Sequence, residues 1–148
     1  MTLGKGLIYG VCVAVGLAAT SCGLPGSMEE VATESVRSDL RVLGESIYEA
    51  HARDGHWPAS LEDLEGTAYL RMPERREALM EGVYVVLWPR GLDADPTRNA
   101  DHVLAYHNAG LLAQGDRVWV CLGDLETVLM DAEDARAGDS EQARSLRP

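Results

Sequence analysis

Two residue types are absent or nearly absent from this chain, and each shortage narrows the possible functions. Phenylalanine does not occur, so three tryptophans and five tyrosines must supply the aromatic packing. Lysine occurs once, at Lys5, and from residue 22 onward 12 arginines stand against 24 acidic residues, a net charge of −12. Because this charge repels phosphate groups, the composition argues against nucleic acid as a partner.

Cysteine is also scarce, with three in 148 residues. Cys12 lies within an N-terminal apolar run and Cys22 directly follows that run, which leaves Cys121 alone in the rest of the chain. We expect no internal disulfide, so the domain must be stabilised by its core. Cys121 lies in a β-branched segment and is predicted to be a buried hydrophobic residue and not a nucleophile.

Familiar catalytic motifs are missing as well. The sequence contains neither a Gly-x-Ser-x-Gly block nor a glycine-rich phosphate loop. These absences favour a protein that is not an enzyme.

The N-terminal segment has the pattern of an export signal. Lys5 precedes an apolar run from Leu7 to Ala19, which is shorter than the roughly 20 residues that a membrane-spanning helix needs. The following Ala19-Thr20-Ser21-Cys22 resembles the lipobox of bacterial lipoproteins, and this implies cleavage before Cys22 and diacylation of its thiol. Residues 1–21 are therefore predicted to be a signal peptide, with ordinary secretion as the alternative.

The resemblance to lipoproteins also implies a location. Residues 22–27, including Pro25-Gly26-Ser27, have the composition of a short tether between a lipid anchor and a folded domain. Gly23 follows Cys22 where lipoproteins kept in the inner membrane have Asp. In a host with two membranes, this implies an exported protein on the periplasmic side of the outer membrane.

Hydrophobic periodicity predicts a long helix from Ser27 to Asp54. Ser27 and Glu30 have capping-box spacing, and Gly55 is expected to end the helix. The apolar residues that recur at steps of three and four are Val36, Leu40, Leu43, Ile47 and Ala50. This stripe predicts a helix that packs against one face of a sheet.

The remaining segments predict that sheet and several short helices. Ser60, with Asp63, is expected to cap a short helix through Leu64, and Glu74–Met80 is expected to form a helical turn. Strands are predicted at Gly82–Trp88, Val103–Tyr106 and Arg117–Leu122, and a closing helix capped by Asp124 at Leu125–Arg136. The predicted domain, residues 28–136, is an α+β fold with a long N-terminal helix on a small antiparallel sheet of three to four strands. Residues 137–148 are predicted to be a flexible tail.

This order of elements resembles the head domain of type II secretion pseudopilins and of planctomycete prepilin-like proteins. The resemblance covers roughly residues 36–128 and is carried mainly by the segment Asp54-Gly55-His56-Trp57-Pro58-Ala59-Ser60-Leu61-Glu62-Asp63-Leu64. Within it, Trp57, Pro58 and Leu61 form the structural signature. The apolar N-terminal segment departs from pilins because it ends in Cys22 and contains no glutamate. The resemblance therefore implies a pseudopilin-like head on a lipid tether, not a filament subunit.

Together these features predict a non-enzymatic envelope lipoprotein that acts through protein–protein contacts with envelope proteins, beside a type II secretion or pilus-like machine. Formation of a homo-oligomer through the helix stripe is a further expectation to test.

A metal-dependent binding protein or hydrolase is the alternative function. It would use His102, His107 and the Asp93–Asp101 loop, whose candidate calcium ligands are Asp93, Asp95, Asn99 and Asp101. The same residue types commonly cap turns, and a plain polar loop is the favoured interpretation. No other cofactor is predicted.

Overall fold

The computed structural model describes residues 28–88, 90–108 and 116–138. Its first element is the long helix α1 (Met28–Asp54), as predicted from the apolar stripe. Gly55 ends it with a φ of +74°, and its N–H donates to the carbonyl of His51 at 2.8 Å. The predicted capping residue Ser27 lies outside the described residues, as do the predicted signal peptide (1–21), the tether (22–27) and residues 139–148 of the predicted tail.

Four antiparallel strands form one sheet in the order β1-β2-β3-β4, so each strand pairs with the next one in the chain. The strands are β1 (Tyr84–Val86), β2 (Val103–His107), β3 (Arg117–Leu122) and β4 (Thr127–Asp131). The α+β class, with a long N-terminal helix and a short closing helix, is confirmed. β1 is shorter than the predicted Gly82–Trp88 because Gly82 and Trp88 have φ values of +73° and +47°, which extended strands do not adopt.

The predicted closing helix at Leu125–Arg136 is wrong over its first half, which is β4. Leu125 has a φ of +70°, and its N–H donates to the carbonyl of Leu122 in a tight turn. The N–H of Leu122 donates to the carbonyl of Glu126, which begins a hairpin between β3 and β4. The β-branched Thr127 then fits the sheet better than a helix. Within the predicted closing helix, only α3 (Ala132–Ala137) is helical. It ends at Ala137, which is the first residue of the predicted tail.

The short helices follow the prediction in place but not in capping. A 3-10 turn covers Glu62–Leu64, and α2 (Pro73–Met80) covers the predicted helical turn. Two further 3-10 turns lie at Tyr69–Arg71 and Pro96–Arg98. The predicted cap from Ser60 is wrong: the Asp63 carboxylate instead accepts the N–H groups of Ala59 and Ser60 at 2.8 and 3.2 Å.

The main core lies between α1 and one face of the sheet. The predicted stripe of α1 is buried there in full, with all five side chains at most 5% exposed: Val36, Leu40, Leu43, Ile47 and Ala50. Gly44 brings the helix backbone close to β3, since a Cβ at this position would lie 2.7 Å from the sulfur of Cys121. A second cluster on the opposite face includes Tyr106, Val120 and Met130 and is partly covered by Ala135 of α3. Within the described ranges, no helix has the length and apolar character needed to cross a membrane.

Candidate functional site

An apolar groove lies beside β1, at the edge of the sheet. It encloses a cavity of about 220 Å³ lined by Leu61, Leu79, Gly82, Tyr84, Val85, Val86 and Trp88. An apolar cavity of about 150 Å³ is large enough to hold benzene, so this groove can receive one leucine-sized or aromatic side chain. We call this cavity, with the adjoining edge of β1, the β1 groove.

Local backbone geometry places α2 and β1 on the two sides of the groove. Pro73 begins α2, where its missing N–H costs no hydrogen bond. The chain then reverses at Gly82, whose φ of +73° suits glycine, and the N–H of Val83 donates to the carbonyl of Ala78 at 2.8 Å. This turn directs Leu79 toward the groove and leaves the following residue, Met80, 71% exposed on the surface.

An ion pair in contact with Tyr84, one of the residues that line the groove, joins α1 to α2. Arg75 donates from Nε and Nη2 to one carboxylate oxygen of Asp39, at 3.1 and 2.8 Å. The Tyr84 hydroxyl donates to the other oxygen of Asp39 at 3.3 Å, and the Arg75 guanidinium lies 5.2 Å from the ring centre of Tyr69. Burial raises the pKa of both Tyr69 and Tyr84 above the usual tyrosine value, so both hydroxyls stay protonated. These charged groups therefore hold the groove wall in place.

The three residues of the predicted signature are close together in sequence but differ in role. Trp57 stacks on His51 with ring centres 3.9 Å apart and meets Tyr48 edge-on at 5.3 Å, which closes the C-terminal end of α1. Pro58 is buried beside it. Leu61 packs against the core and also lines the β1 groove. Only Leu61 therefore belongs to the candidate site.

Asn99 is the centre of a buried polar network, a role different from the predicted one of metal ligand. It is 2% exposed, and its side-chain nitrogen donates to the Tyr48 hydroxyl at 2.7 Å and to the carbonyl of Asp93 at 2.7 Å. Its side-chain oxygen accepts the N–H of Asp93 at 2.8 Å. The Tyr48 hydroxyl in turn donates to the carbonyl of Gly123 at 2.6 Å. This network ties α1, the Asp93–Asp101 loop and the β3–β4 turn together.

Replacing Tyr48 by phenylalanine tests the network without changing its packing. The Tyr48→Phe variant loses a hydrogen bond to a backbone carbonyl and leaves a donor of Asn99 with one partner fewer, so we expect unfolding free energy to fall by about 1–3 kcal/mol. Urea denaturation followed by tryptophan fluorescence measures this loss. Tyr106→Phe is the matched control, and a loss of the same size in both variants would contradict the assigned role of Tyr48.

Two of the remaining predicted calcium ligands, Asp93 and Asp95, bond within their own loop. Asp93 accepts the N–H of Asp95 at 2.9 Å and pairs with Arg98 at 3.2 Å, while Asp95 accepts both the N–H and the hydroxyl of Thr97. Asp101 is partly buried at the end of this loop. Across residues 28–88, 90–108 and 116–138, no group of three or more His, Cys, Asp or Glu side chains is placed to hold a metal ion. Calcium binding stays a prediction from the sequence.

His102 and His107 lie in different surroundings. His102 is exposed in the turn before β2, whereas His107 is 5% exposed at the end of β2 and lies 5.1 Å from the ring of Tyr84. Burial lowers the pKa of His107 below its usual value. His107 therefore supports the wall of the β1 groove in its neutral form.

Acidification should weaken the fold through His107. Because its pKa is lower in the folded state than in the unfolded state, its contribution to stability is complete above about pH 6.5 and is lost as the pH falls through the folded pKa. We expect the Tm of the wild type to fall more between pH 7.5 and pH 5.0 than that of His107→Gln. Equal falls in scanning calorimetry would show that His107 does not couple protonation to folding.

Cys121 is buried, as predicted, and its thiol is a poor nucleophile. It is 0% exposed, and burial raises the pKa of its thiol to about 12, far from the range in which a cysteine acts as a nucleophile. Its sulfur packs in the core beneath Gly44.

Neither the β1 groove nor the Asn99 network is predicted by the sequence pattern. The edge position of β1 depends on the order of the strands, which no local pattern specifies. Asn99 has the composition of an ordinary turn residue, and only the approach of Tyr48, 51 positions earlier, makes it a network centre. A scan against protein-family models gives no match to this chain, and searches of the curated proteins and of the solved structures give none.

Proposed function

We propose that this chain is a non-enzymatic envelope lipoprotein, anchored through Cys22, whose α+β head binds other envelope proteins. The observation that carries the proposal is the β1 groove, an apolar cavity at a sheet edge, with the exposed Met80 directly after its lining residue Leu79. The edge of a sheet can pair with another chain, and an adjacent apolar pocket can receive a side chain of that chain. The predicted signal peptide that ends directly before Cys22 supports the anchoring.

The hydrogen bonds and ion pairs of the polar groups in and around the core also favour binding over catalysis. Asp39 and Arg75 are committed to each other and to Tyr84, and Asn99 is committed to Tyr48 and its own loop. Cys121 is held as a protonated thiol in the core. These groups stabilise the domain through contacts that a reacting substrate would have to break.

We assign the partner to a type II secretion or pilus-like machine because of the Trp57–Leu64 segment and its resemblance to pseudopilin heads. The helix-on-sheet architecture agrees with that resemblance. The lipid on Cys22 would replace the membrane helix that holds a pseudopilin in place, which leaves the head free to contact proteins at the membrane surface.

Photocrosslinking in cells tests this function. In one variant a photoreactive amino acid replaces Met80, the residue after the groove-lining Leu79. In a second variant it replaces Val31, which is 60% exposed near the start of α1. We expect adducts with envelope proteins from position 80, and we expect them to disappear when Cys22→Ser removes the anchor. A chain that yields no adduct from either position, or equal adducts with and without the anchor, would contradict a tethered binding protein.

A further inference from the structure

The β1 groove includes backbone groups that can bind a further strand. In the pairing of β1 with β2, the N–H of Leu87 donates to the carbonyl of Leu104 and the carbonyl of Val83 accepts the N–H of Asn108. Hydrogen-bonded positions alternate along an antiparallel strand, so the carbonyl of Val83, both backbone groups of Val85 and the N–H of Leu87 are directed toward β2. The N–H and C=O groups of Tyr84 and Val86 therefore point away from the sheet, along the side that lines the groove.

The other edge of the sheet differs from β1. On β4, the same alternation directs the backbone of Leu129 outward, because the carbonyl of Glu126 and the N–H of Ala132 are the groups bonded toward β3. Arg117 donates to the carbonyl of Leu129 at 2.7 Å and thereby occupies this outward acceptor. Charged side chains at an edge discourage strand addition. The described hydrogen bonds include no comparable side-chain bond to the backbone of Tyr84 or Val86.

The negative charge of the chain favours a partner strand of opposite charge. Residues 28–138 contain 10 arginines and 22 acidic residues, a net charge of −12, and the exposed Glu62, Glu77 and Glu81 adjoin the groove-lining residues in sequence. Two copies of this chain would repel each other, whereas a strand flanked by basic residues would be attracted. The apolar cavity requires an apolar side chain in the middle of that strand.

We propose that the partner adds an extended strand to the edge of β1. The added segment is apolar at its centre and basic at its ends, pairs with the backbone of Tyr84 and Val86, and inserts one side chain between Leu61 and Leu79. Backbone hydrogen bonds supply affinity in such strand addition, and the pocket supplies specificity. This inference rests on the proposed function and names the surface and the partner chemistry through which that function would operate.

A synthetic peptide tests the backbone pairing directly. The probe is Arg-Thr-Val-Leu-Val-Thr-Arg, added to protein expressed from the full chain with Cys22→Ser. We expect it to slow amide hydrogen exchange of Tyr84 and Val86 but not of Leu129. The same peptide with N-methyl groups on its three central residues should not bind, because it cannot donate to a strand edge.

Two pairs of variants separate the backbone from the cavity. Val86→Pro removes an outward N–H, and Leu129→Pro is the matched change at the opposite edge. We expect Val86→Pro to lower peptide affinity about tenfold or more, and Leu129→Pro to leave it unchanged. If either proline variant fails to fold, Leu79→Arg places a charged chain in the cavity and should abolish binding. Val31→Arg places the same charge at an exposed position near the start of α1, away from the residues that line the cavity, and should bind as well as the wild type.

Three results with the purified protein would overturn the inference, and a fourth result, in cells, would do so as well. The first is equal binding of the native and N-methylated peptides, and the second is equal affinity of Leu79→Arg and Val31→Arg. The third is a dimer in sedimentation that Val86→Pro dissociates, which would make a second copy the occupant of the edge. If Leu79→Arg leaves the anchor-dependent crosslinks in cells intact, the proposed function survives and the binding surface lies elsewhere; if those crosslinks are absent in the wild type, the proposed function itself fails.

Discussion

Gly123→Ala is expected to unfold the domain at a temperature at least about 10 °C below the wild type. A Cβ at this position would overlap the carbonyl oxygen and the Cβ of Asn99. The backbone that carries both of these atoms is fixed by hydrogen bonds. The N–H of Gly123 donates to the carbonyl of His102 at 2.8 Å, and the N–H of His102 donates to the carbonyl of Asn99 at 2.9 Å. Overpacking lowers the free energy of unfolding by about 1–3 kcal/mol when the neighbouring atoms can shift. Because the hydrogen bonds resist such a shift here, we expect a loss at or above the upper end of this range, which gives the stated fall in Tm.

Gly55→Ala is the control for the effect of losing glycine alone. Gly55 has a φ of +74°, and no atom lies within 4 Å of the place that an added Cβ would take, so alanine there costs only the conformational penalty, about 1–2 kcal/mol. Circular dichroism melting of both variants separates steric overlap from conformational strain. If Gly123→Ala melts no lower than Gly55→Ala, the close approach between the β3–β4 turn and the Asn99 loop is not as described.

Leu43→Ala is expected to reduce the free energy of unfolding by about 2–5 kcal/mol. Leu43 is 0% exposed on the face of α1 that packs against β2 and β3, where truncation leaves a cavity that neither helix nor sheet can easily close. Urea denaturation measures the loss.

The control for Leu43 lies on the same helix. Val31 is 60% exposed, so Val31→Ala should change stability by less than about 0.5 kcal/mol. Equal losses in the two variants would show that α1 does not contribute its predicted stripe to the core.

The sequence was sufficient to predict α1 because the information was local and repeated. Leu40, Leu43 and Ile47 recur at helical spacing over several turns, and one face of a helix must be buried when a sheet is present. Burial of Cys121 followed from its β-branched neighbours in the same way. The predicted number of strands was correct because β4 falls within the stated three to four, although its segment was predicted to be helical.

The errors arose where tertiary contacts decide the conformation. Leu125 takes a left-handed conformation that favours glycine or asparagine, so no turn was expected there, and β4 was missed. The Ser60 cap failed because Asp63 reaches back to the backbone first. The β1 groove required the strand order, and the role of Asn99 required contact with a residue on another element. Both depend on long-range packing that spacing does not encode.

Lipidation of Cys22 is predicted from the sequence, and the intact mass of the chain from a membrane fraction is the measurement that tests it. The predicted result is a chain that lacks residues 1–21 and carries a diacylglyceryl group, with a Cys22→Ser variant that lacks the lipid and leaves the membrane fraction. An unmodified chain in the soluble fraction would contradict it and would indicate a freely secreted binding protein.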